Sequence, residues 1–532
     1  MYDAIVSNVK IYDGSGSLPF YADVAVSDGR IAAVGAGIND ADAPVVDAGG
    51  ASMCPGFIDA HSHGDLVIGD AAAAAAKLSQ GVTTEIAGQC GLSMFPIAEQ
   101  RAGEAKNLLS IGTDHFPDAL GTFCGFSKFK EYAESIPLPL NLSVFVGHSA
   151  LRLAVMGEED RRPTPAELEG MQRLLAEAMM QGALGLSSGL IYPPGAFAQK
   201  EELKALCEVV AKYNGIYTTH MRNESKHVVE AVKEAVGIAR ETGAALNISH
   251  IKVMGMDNWG LSERILEEIE AARRDGVSVT MDLYPYKATS TMLNVCIPPQ
   301  FFKDGRKKLL ERLADKSFRA ELKAAISDPD QEYDNNYISC RGFENILVAK
   351  ARKSPAAEGR RIAEYAAEKG VDPFDLYFDL LMENELEGAA VYFCIGEDDI
   401  SNFIRDPLCV IGTDGICLGS GGAGHPRAFG TFPHAIEWFV KDKRLFSMSE
   451  MIYKMTGKTA EIYGLAGKGF IRPGMDADFI LFDEDKLHAT ADYAHANSLT
   501  DGIHSVWIRG EKVYEDKSFT KKFKGQLLLR ES

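Results

Sequence analysis

Between about residue 55 and residue 465, the sequence alternates short apolar runs with longer helix-like segments. Helix-like stretches such as 164–181, 201–213 and 228–242 lie between the runs. Eight of the runs have the length and apolar content of buried β-strands: 57–63, 82–91, 141–149, 183–190, 216–222, 245–252, 277–286 and 409–415. Such alternation predicts parallel strands joined by helices, and eight repeats predict an α/β fold of the (β/α)8 TIM-barrel type.

The two ends of the chain have a different character from the middle. Residues 1–54 contain short β-type runs separated by turn signals, and residues 466–532 contain similar runs. We predict that both ends form one small β-sandwich, with the barrel at 55–465 between its two parts. Residues 287–408 separate the seventh and eighth strand-like runs, and we interpret this stretch as an insert that forms a lid or a subdomain.

Composition excludes several classes of function. The chain of 532 residues has a formal net charge of -20, so it lacks the basic surface that nucleic-acid binding requires. No run approaches the roughly 20 apolar residues of a membrane helix, and the first residues do not resemble a signal peptide. The nine cysteines are scattered and form no CxxC pair, which is typical of free thiols. These features predict a cytoplasmic protein without membrane or nucleic-acid partners.

Polar residues stand where the strand-like runs end, which is where a barrel places its functional side chains. They are His61 and His63 on the first run, Cys90 on the second, His148 on the third, Ser187 and Ser188 on the fourth, His220 on the fifth, His250 on the sixth, Asp282 and Tyr284 on the seventh, and Asp414 on the eighth. Taken singly, each imidazole or thiol is compatible with ordinary core packing, and Asp414 with a turn.

The set as a whole favours a metal site. Several buried imidazoles, a thiol and a carboxylate together would be costly to desolvate without an ion. Imidazole and thiolate ligands suit zinc better than the hard cations. His148, for which no role is required, is predicted to be structural. The cysteines other than Cys90 are predicted to pack in the core: Cys54, Cys124, Cys207, Cys296, Cys340, Cys394, Cys409 and Cys417.

Eight motifs resemble those of the N-acyl-D-amino acid deacylases (D-aminoacylases) of the amidohydrolase superfamily. They are PGFIDAHSHGD, GVTTEIAGQCG, GLSSGLIYPPG, THMRNES, ISHIK, DLYPYKATST, IGTDG and HPRAFGTF. The resemblance runs from about residue 2 to about residue 515. The resemblance implies a barrel with a split β-sandwich. It also implies a tightly bound zinc ion on Cys90, His220 and His250, and a second, weaker metal position near His61, His63 and Asp414.

The fourth run distinguishes this group from other amidohydrolases. Hydantoinases and dihydroorotases typically have a carboxylated lysine there as the bridging metal ligand. This chain reads Gly-Leu-Ser-Ser-Gly at 185–189 and has no lysine in the run. The resemblance implies that Cys90 takes the bridging role instead.

The resemblance implies hydrolysis of the amide bond of N-acyl-D-amino acids to a carboxylate and a free D-amino acid. A metal-activated water would attack, with Asp414 as general base and then general acid. Arg427 has the planar fork that binds a carboxylate in two hydrogen bonds, and the resemblance adds Lys252, Tyr192, Tyr284 and Ser290 as substrate-binding residues. The net charge of -20 favours neutral substrate side chains.

Two other functions remain open at this stage. One is a cyclic amide or ureide hydrolase of the hydantoinase or dihydroorotase type, and the other is a non-catalytic scaffold with the amidohydrolase fold. A scaffold would be expected to have lost metal ligands, and all six candidate side chains are present. The sequence leaves open the acyl-chain preference, the physiological substrate, the number of metal ions, the role of the insert and whether the protein forms a homo-oligomer.

Overall fold

The computed structural model describes residues 1–110, 113, 116–331, 333–415 and 424–530. It begins with a group of short strands: β1 (Ala4–Ile11), β2 (Phe20–Ser27), β3 (Arg30–Gly35), β4 (Val45–Asp47) and β5 (Ser52–Pro55). Strand β1 is central, since it pairs antiparallel with β2 and parallel with β4 and β5. This group leads into the barrel after a single residue, Gly56.

The next strands form most of a barrel. They are β6 (Phe57–Asp59), β7 (Val82–Ala87), β8 (Asn141–Val144), β9 (Val146–Gly147), β10 (Gly185–Gly189), β11 (Ile216–His220), β12 (Ala245–Ile248) and β13 (Val279–Leu283). Each pairs in parallel with the next along the chain, except that β8 and β9 are two parts of one strand interrupted at Phe145. The backbone of Phe145 still donates to the carbonyl of Ala87, which keeps the interrupted strand in the barrel.

Helices connect these strands: α1 (Ala71–Ser79), α2 (Ala102–Leu109), α3 (Phe126–Ser135), α4 (His148–Met156), α5 (Pro165–Met180), α6 (Lys200–Lys212), α7 (Val228–Thr242) and α8 (Ser262–Arg274). Local sequence explains their ends. Thr164 and Glu167 form a capping box at the start of α5, with Pro165 at its first position, where a missing N–H costs nothing. Helix α7 ends at Gly243, which adopts the left-handed conformation that glycine tolerates.

An insert with its own sheet follows β13. It contains β14 (Thr289–Met292), β15 (Ile346–Lys350) and β16 (Ala389–Tyr392), and the helices α9 (Arg306–Leu313), α10 (Lys316–Ile326), α11 (Asn336–Ser339), α12 (Ile362–Lys369), α13 (Pro373–Glu383) and α14 (Glu397–Arg405). Strand β16 pairs antiparallel with both β14 and β15. Helix α14 packs against α8 and the last barrel strand, so it takes the place of a barrel helix.

The last barrel strand, β17 (Cys409–Ile411), pairs in parallel with β13. The barrel closes against β6, because Ala60 N donates to Ile411 O at 3.1 Å and Asp414 N donates to His61 O at 2.8 Å. Eight parallel strands therefore surround the core, as the alternation of the sequence predicts. The chain continues through α15 (Arg427–Ala435), a π-helical segment (Ile436–Asp442), α16 (Met448–Met455) and α17 (Gly457–Tyr463).

The chain then returns to the first group of strands through β18 (Phe479–Phe482), β19 (Ile503–Ile508), β20 (Glu511–Glu515) and β21 (Ser518–Phe519). Because β18 pairs with β5, both chain ends join one nine-stranded sheet. Its shared apolar core includes Val6, Val24, Phe479 and Trp507, and the last two rings stack 5.3 Å apart. The small β-domain built from both ends is thus present.

Three details differ from the sequence predictions or lie outside them. Residues 525–530 do not stay in the terminal sheet but run along the third barrel strand, where Leu528 N donates to Leu142 O at 2.7 Å. Cys124 is exposed, so its assignment to the core is wrong, whereas the other described cysteines are buried and unpaired. Cys417 lies outside the described residues. None of the helices in the described part of the chain has the length and apolar content that a membrane span requires.

Candidate metal centre

The barrel strands end earlier than the apolar runs suggest, and five of the six candidate metal-binding residues lie beyond the strand ends. The first strand ends at Asp59 rather than at residue 63, and His61 follows it. Cys90, His250 and Asp414 have φ angles of 55°, 35° and 47°. A left-handed backbone at a non-glycine residue costs about 1–3 kcal/mol and is concentrated at functional sites. These turns bend the chain so that the three side chains meet at the mouth of the barrel.

The candidate metal-binding atoms form one buried group. Cys90 Sγ lies 3.3 Å from His61 Nε2 and 3.3 Å from His250 Nε2. Asp414 Oδ1 lies 3.6 Å from His61 Nε2 and 3.2 Å from His63 Nε2. One ligand atom from each of His61, Cys90, His250 and Asp414 lies within 4.8 Å of the others. The fold therefore brings together residues from distant parts of the sequence.

His220 completes the group from the end of β11. Its ring lies 4.5 Å from the ring of His250 and nearly perpendicular to it. Its Nε2 atom is buried and makes no hydrogen bond with the described residues, and its contact with Glu224 Oε2 is long, at 3.5 Å. A buried polar atom without a partner needs an explanation, and a ring of imidazole nitrogens around a thiol is the donor set that zinc prefers. The residues present therefore fit a metal ion.

The electrostatics keep both anionic groups ionised. Burial alone would raise the pKa of the Cys90 thiol, but the charges of His61 and His250 lower it well below its usual value. Burial also opposes ionisation of Asp414, yet the neighbouring Arg427 and His250 hold the pKa of that carboxyl well below its usual value. The site thus presents a thiolate and a carboxylate, the forms that bind metal ions.

Glu224 also belongs to the candidate site, although the sequence does not predict a role for it. Its Oε1 lies 2.6 Å from Lys252 Nζ and 3.1 Å from His250 Nδ1, and its Oε2 lies 3.5 Å from His220 Nε2. Burial opposes ionisation, but His220 and Lys252 lower the pKa of this carboxyl. A carboxylate that binds the second nitrogen of a metal-binding histidine fixes the orientation of its ring, and Glu224 is placed to do so for His250. The only signal in the sequence is its place in the motif THMRNES, which says nothing about where the loop folds back.

Asp282 has a similar position behind His61. Its Oδ1 lies 3.1 Å from His61 Nδ1 and accepts a hydrogen bond from His250 N at 2.7 Å. Its Oδ2 accepts one from Asn247 at 2.7 Å. The sequence marks Asp282 as a polar residue at the end of the seventh strand but gives it no role. The contacts show that it orients one histidine and fixes the strained backbone of another.

The predicted substrate-binding residues lie on one side of this group. Arg427 donates from Nη1 to Asp414 Oδ2 at 2.8 Å and from Nη2 to the carbonyl of Ser290 at 3.1 Å. The guanidinium of Arg427 and the ammonium of Lys252 lie 5.0 Å and 5.8 Å from the centre of the Tyr284 ring. Ser290 thus contacts Arg427 through its backbone. The strand β14 of the insert therefore forms one wall of the site.

Threonines of β14 hold the two tyrosines. Tyr284 donates its hydroxyl to Thr289 Oγ1 at 3.1 Å, and the Tyr192 hydroxyl lies 3.1 Å from Thr291 Oγ1. The ring of Tyr192 lies 5.3 Å from that of His220. The two phenols therefore line the space between the insert and the metal-binding residues.

The remaining polar strand ends have structural partners. His148 lies 2.7 Å from Glu202, which also binds Arg152 at 2.5 Å, so its structural assignment agrees with its contacts. Ser187 donates to Gly88 O at 2.5 Å and accepts from Gly91 N at 3.1 Å, so it supports the turn that contains Cys90.

Comparison with known proteins identifies the family of the chain. The family model described as amidohydrolase family matches residues 44–514, and the chain belongs to this family. The D-aminoacylase of Alcaligenes xylosoxydans xylosoxydans is 34% identical over 535 aligned residues, which cover 99% of this chain and 98% of that protein. The N-acyl-D-aspartate deacylase of the same organism is 32% identical, with 99% and 95% covered.

Solved structures give the same grouping. The N-acyl-D-glutamate deacylase of Bordetella bronchiseptica, complexed with zinc and a phosphonate mimic of the tetrahedral intermediate, matches with a TM-score of 0.82 at 31% identity, covering 99% of each chain. A D-aminoacylase with a binuclear metal centre matches with a TM-score of 0.80 at 33% identity, covering 100% of each chain. A D-hydantoinase matches with a TM-score of 0.55 at 15% identity, covering 99% of each chain, and this likeness shows a shared fold alone. The protein is therefore a metal-dependent amidohydrolase of the D-aminoacylase group, which acts on linear amides.

Proposed function

We propose that the protein hydrolyses N-acyl-D-amino acids to a carboxylate and a free D-amino acid. The observation that carries this proposal is the position of Asp414. Its carboxylate lies 3.2 Å from His63 in the metal-binding group on one side and 2.8 Å from the Arg427 guanidinium on the other. A proton-transfer group thus adjoins both the metal centre and a cation suited to the α-carboxylate of an amino acid.

In this proposal Cys90, His220 and His250 hold a tightly bound zinc ion, and His61, His63 and Asp414 surround a second, weaker position. Zinc, when bound, supplies a Lewis acid that polarises the amide carbonyl and acidifies water. Glu224 and Asp282 orient the histidines through their second nitrogens, as described above. The buried position of the group excludes bulk water, which strengthens these interactions.

Asp414 moves the proton. As a carboxylate it accepts a proton from the attacking water while the new C–O bond forms at the amide carbon. It then donates this proton to the amide nitrogen as the C–N bond breaks, so the amine leaves neutral. Arg427 now pairs with Asp414. When a substrate carboxylate shares this guanidinium, the carboxylate of Asp414 is less stabilised and becomes a stronger base.

Arg427 and Lys252 bind the α-carboxylate in this account, together with Tyr192, Tyr284 and Ser290. In the described part of the chain, these two cations are the ones that lie over the Tyr284 ring. Both cations are then engaged by the α-carboxylate, and the formal net charge of -20 disfavours a second negative charge on the substrate. We therefore propose a preference for neutral side chains. The preference for the D configuration follows from the named relatives.

Replacing Arg427 tests the pocket. The variant Arg427→Ala should raise KM for N-acetyl-D-methionine about ten- to hundredfold, because a hydrogen bond to a charged group contributes about 1.5–3 kcal/mol. The KM for the corresponding carboxamide, which has no α-carboxylate, should stay within about twofold. The comparison separates carboxylate binding from the general effect of leaving Asp414 without its partner, which changes kcat for both substrates.

Arg222→Ala is the matched control, since Arg222 binds Glu234 and two backbone carbonyls of the 196–198 turn rather than Asp414. An Arg427→Ala protein with an unchanged KM for the acid would remove Arg427 from the pocket.

A substrate panel tests the reaction. Amine release is measured with paired N-acetyl-D and N-acetyl-L amino acids that have neutral or acidic side chains, and ring opening with hydantoin and dihydroorotate. We expect release from the D set and fastest release from the neutral members. Ring opening without amine release would assign the protein to the cyclic amide hydrolases. Silence on every compound from protein with stoichiometric metal would contradict the proposed substrate class.

A further inference from the structure

A buried lysine lies between the first and last barrel strands, close to the candidate metal-binding group. Lys77, on α1, has 3% of its surface exposed. Its Nζ lies 2.5 Å from Asp59 Oδ2, 2.8 Å from Thr413 Oγ1 and 3.1 Å from Glu85 Oε1. Burying an ammonium group has a large desolvation cost even when the group is paired, so its ion pairs need not stabilise the fold. We therefore consider which residues Lys77 connects.

The partners of Lys77 belong to the two strand ends that meet where the barrel closes. Asp59 is the last residue of β6, and its Oδ1 accepts hydrogen bonds from His61 N at 3.2 Å and from Thr413 N at 2.7 Å. Thr413 also donates from Oγ1 to Asp59 Oδ2 at 2.7 Å. The Lys77 ammonium, the Asp59 carboxylate and the Thr413 hydroxyl therefore connect the backbone at His61 with the residue before Asp414.

A second branch reaches the His63 side. Ser62 donates to Glu85 Oε1 at 2.6 Å and accepts from Gly64 N at 3.0 Å, and Lys77 Nζ lies 3.3 Å from Ser62 Oγ. Ser62 stands between the two histidines of the His-x-His pair. Lys77 thus reaches the backbone on both sides of that pair.

Apart from Glu85 on β7, the connected residues lie beside one half of the site. His61, His63 and Asp414 follow β6 and β17, whereas Cys90 follows β7, His220 ends β11 and His250 follows β12. Asp414 also has a left-handed backbone with φ of 47°, which persists only if the surroundings enforce it. Thr413, the residue before Asp414, is held by this network through its hydrogen bonds to Asp59 and its contact with Lys77.

We propose that Lys77 is a positioning residue that fixes Asp414 and the His61–His63 pair relative to each other. It thereby sets the rate of proton transfer and the affinity of the second metal position, and it leaves the three proposed ligands of the tight zinc undisturbed. This inference rests on the proposed function for its effect on rate, but its effect on metal affinity does not depend on the substrate.

The test uses Lys77→Met in the full-length, zinc-loaded protein. Loss of a residue that orients a metal site typically lowers activity or metal affinity about 10–100-fold. We expect kcat to fall within that range, KM to stay within about twofold, and one tightly bound zinc ion to remain by metal analysis. Calorimetric titration of Zn²⁺ into the one-zinc protein should show weaker binding of the second ion by at least about tenfold.

Lys468→Met is the matched control. Lys468 is also buried and lies 2.5 Å from Asp478 and 2.9 Å from Asp476, but next to the terminal sheet. It should lower thermal stability without changing kcat or binding of the second ion. If Lys77→Met does not yield folded protein, the pair Thr413→Val and Thr413→Ser decides. Loss of the hydroxyl in Thr413→Val should lower kcat and weaken binding of the second ion. Thr413→Ser, which keeps the hydroxyl, should have the kcat and the second-ion affinity of the wild type.

Two results would overturn the proposal. One is a folded Lys77→Met protein with the kcat and the second-ion affinity of the Lys468→Met control. The other is a Thr413→Val protein indistinguishable from Thr413→Ser. A wild-type protein that releases no amine but whose second-ion affinity falls in Lys77→Met would contradict the proposed function and support the role of Lys77.

Discussion

The variant Asp414→Asn should retain one tightly bound zinc ion and lose turnover by about 10²–10⁴-fold, the usual contribution of general acid–base catalysis. The amide is nearly isosteric with the carboxylate and can still accept a hydrogen bond from Arg427, which now lies 2.8 Å away. It cannot accept a proton from water or return one to the leaving amine. The measurement is kcat with N-acetyl-D-methionine beside zinc content for the same preparation.

Asp406→Asn provides the control for Asp414→Asn. Asp406 is a buried carboxylate just before the start of β17, where it binds Arg273 at 2.6 Å, so its replacement removes a similar buried ion pair from the opposite end of the same strand. It should reduce stability and leave kcat near that of the wild type. A kcat of Asp414→Asn within about threefold of the wild type would remove Asp414 as the base, since general base catalysis contributes far more.

Cys90→Ala should yield protein without stoichiometric zinc and without measurable turnover. The thiolate lies 3.3 Å from the Nε2 atoms of both His61 and His250, so its removal opens the centre of the donor group. Even residues that only orient ligands contribute about 10–100-fold to metal affinity, and a direct thiolate ligand should contribute more. Zinc content after dialysis against a weak chelator gives the answer.

The control for this variant is Cys207→Ala. Cys207 is fully buried on α6 among apolar residues, and burial raises the pKa of its thiol to a value at which it stays neutral at pH 7. Its removal creates a cavity of the same size but should leave zinc and turnover intact. Full zinc content in Cys90→Ala would refute the proposed tight site.

The barrel could be predicted from the sequence because a buried parallel strand is an apolar run and a barrel helix is an amphipathic one, and both are local patterns. The lengths of the strands could not be predicted in this way. The turns at Cys90, His250 and Asp414 have positive φ angles, which are set by contacts with distant residues and leave no mark in apolar periodicity. The side chains nevertheless meet, because the carboxyl ends of parallel strands share one edge.

The residues that contact the candidate metal ligands show more clearly what the sequence could not predict. Glu224 follows His220 by four positions in a loop, and only the folded loop brings its carboxylate to His250 and Lys252. The network of Lys77 joins α1, β6, β7 and the end of β17, so no local pattern links its members. Apart from Arg427, the substrate-binding residues are predicted by resemblance rather than by pattern, and Ser290 contacts Arg427 through a backbone carbonyl that any residue would offer.

The measurement that tests the central claim most directly is amine release from N-acetyl-D-methionine and N-acetyl-L-methionine by one preparation in three states: as purified, stripped by a chelator, and reloaded with one equivalent of zinc. We expect release from the D compound alone, its loss on stripping and its return on reloading. Equal rates with both compounds, or a rate that does not follow zinc, would contradict the assignment of this site to the zinc-dependent deacylation of D-amino acids.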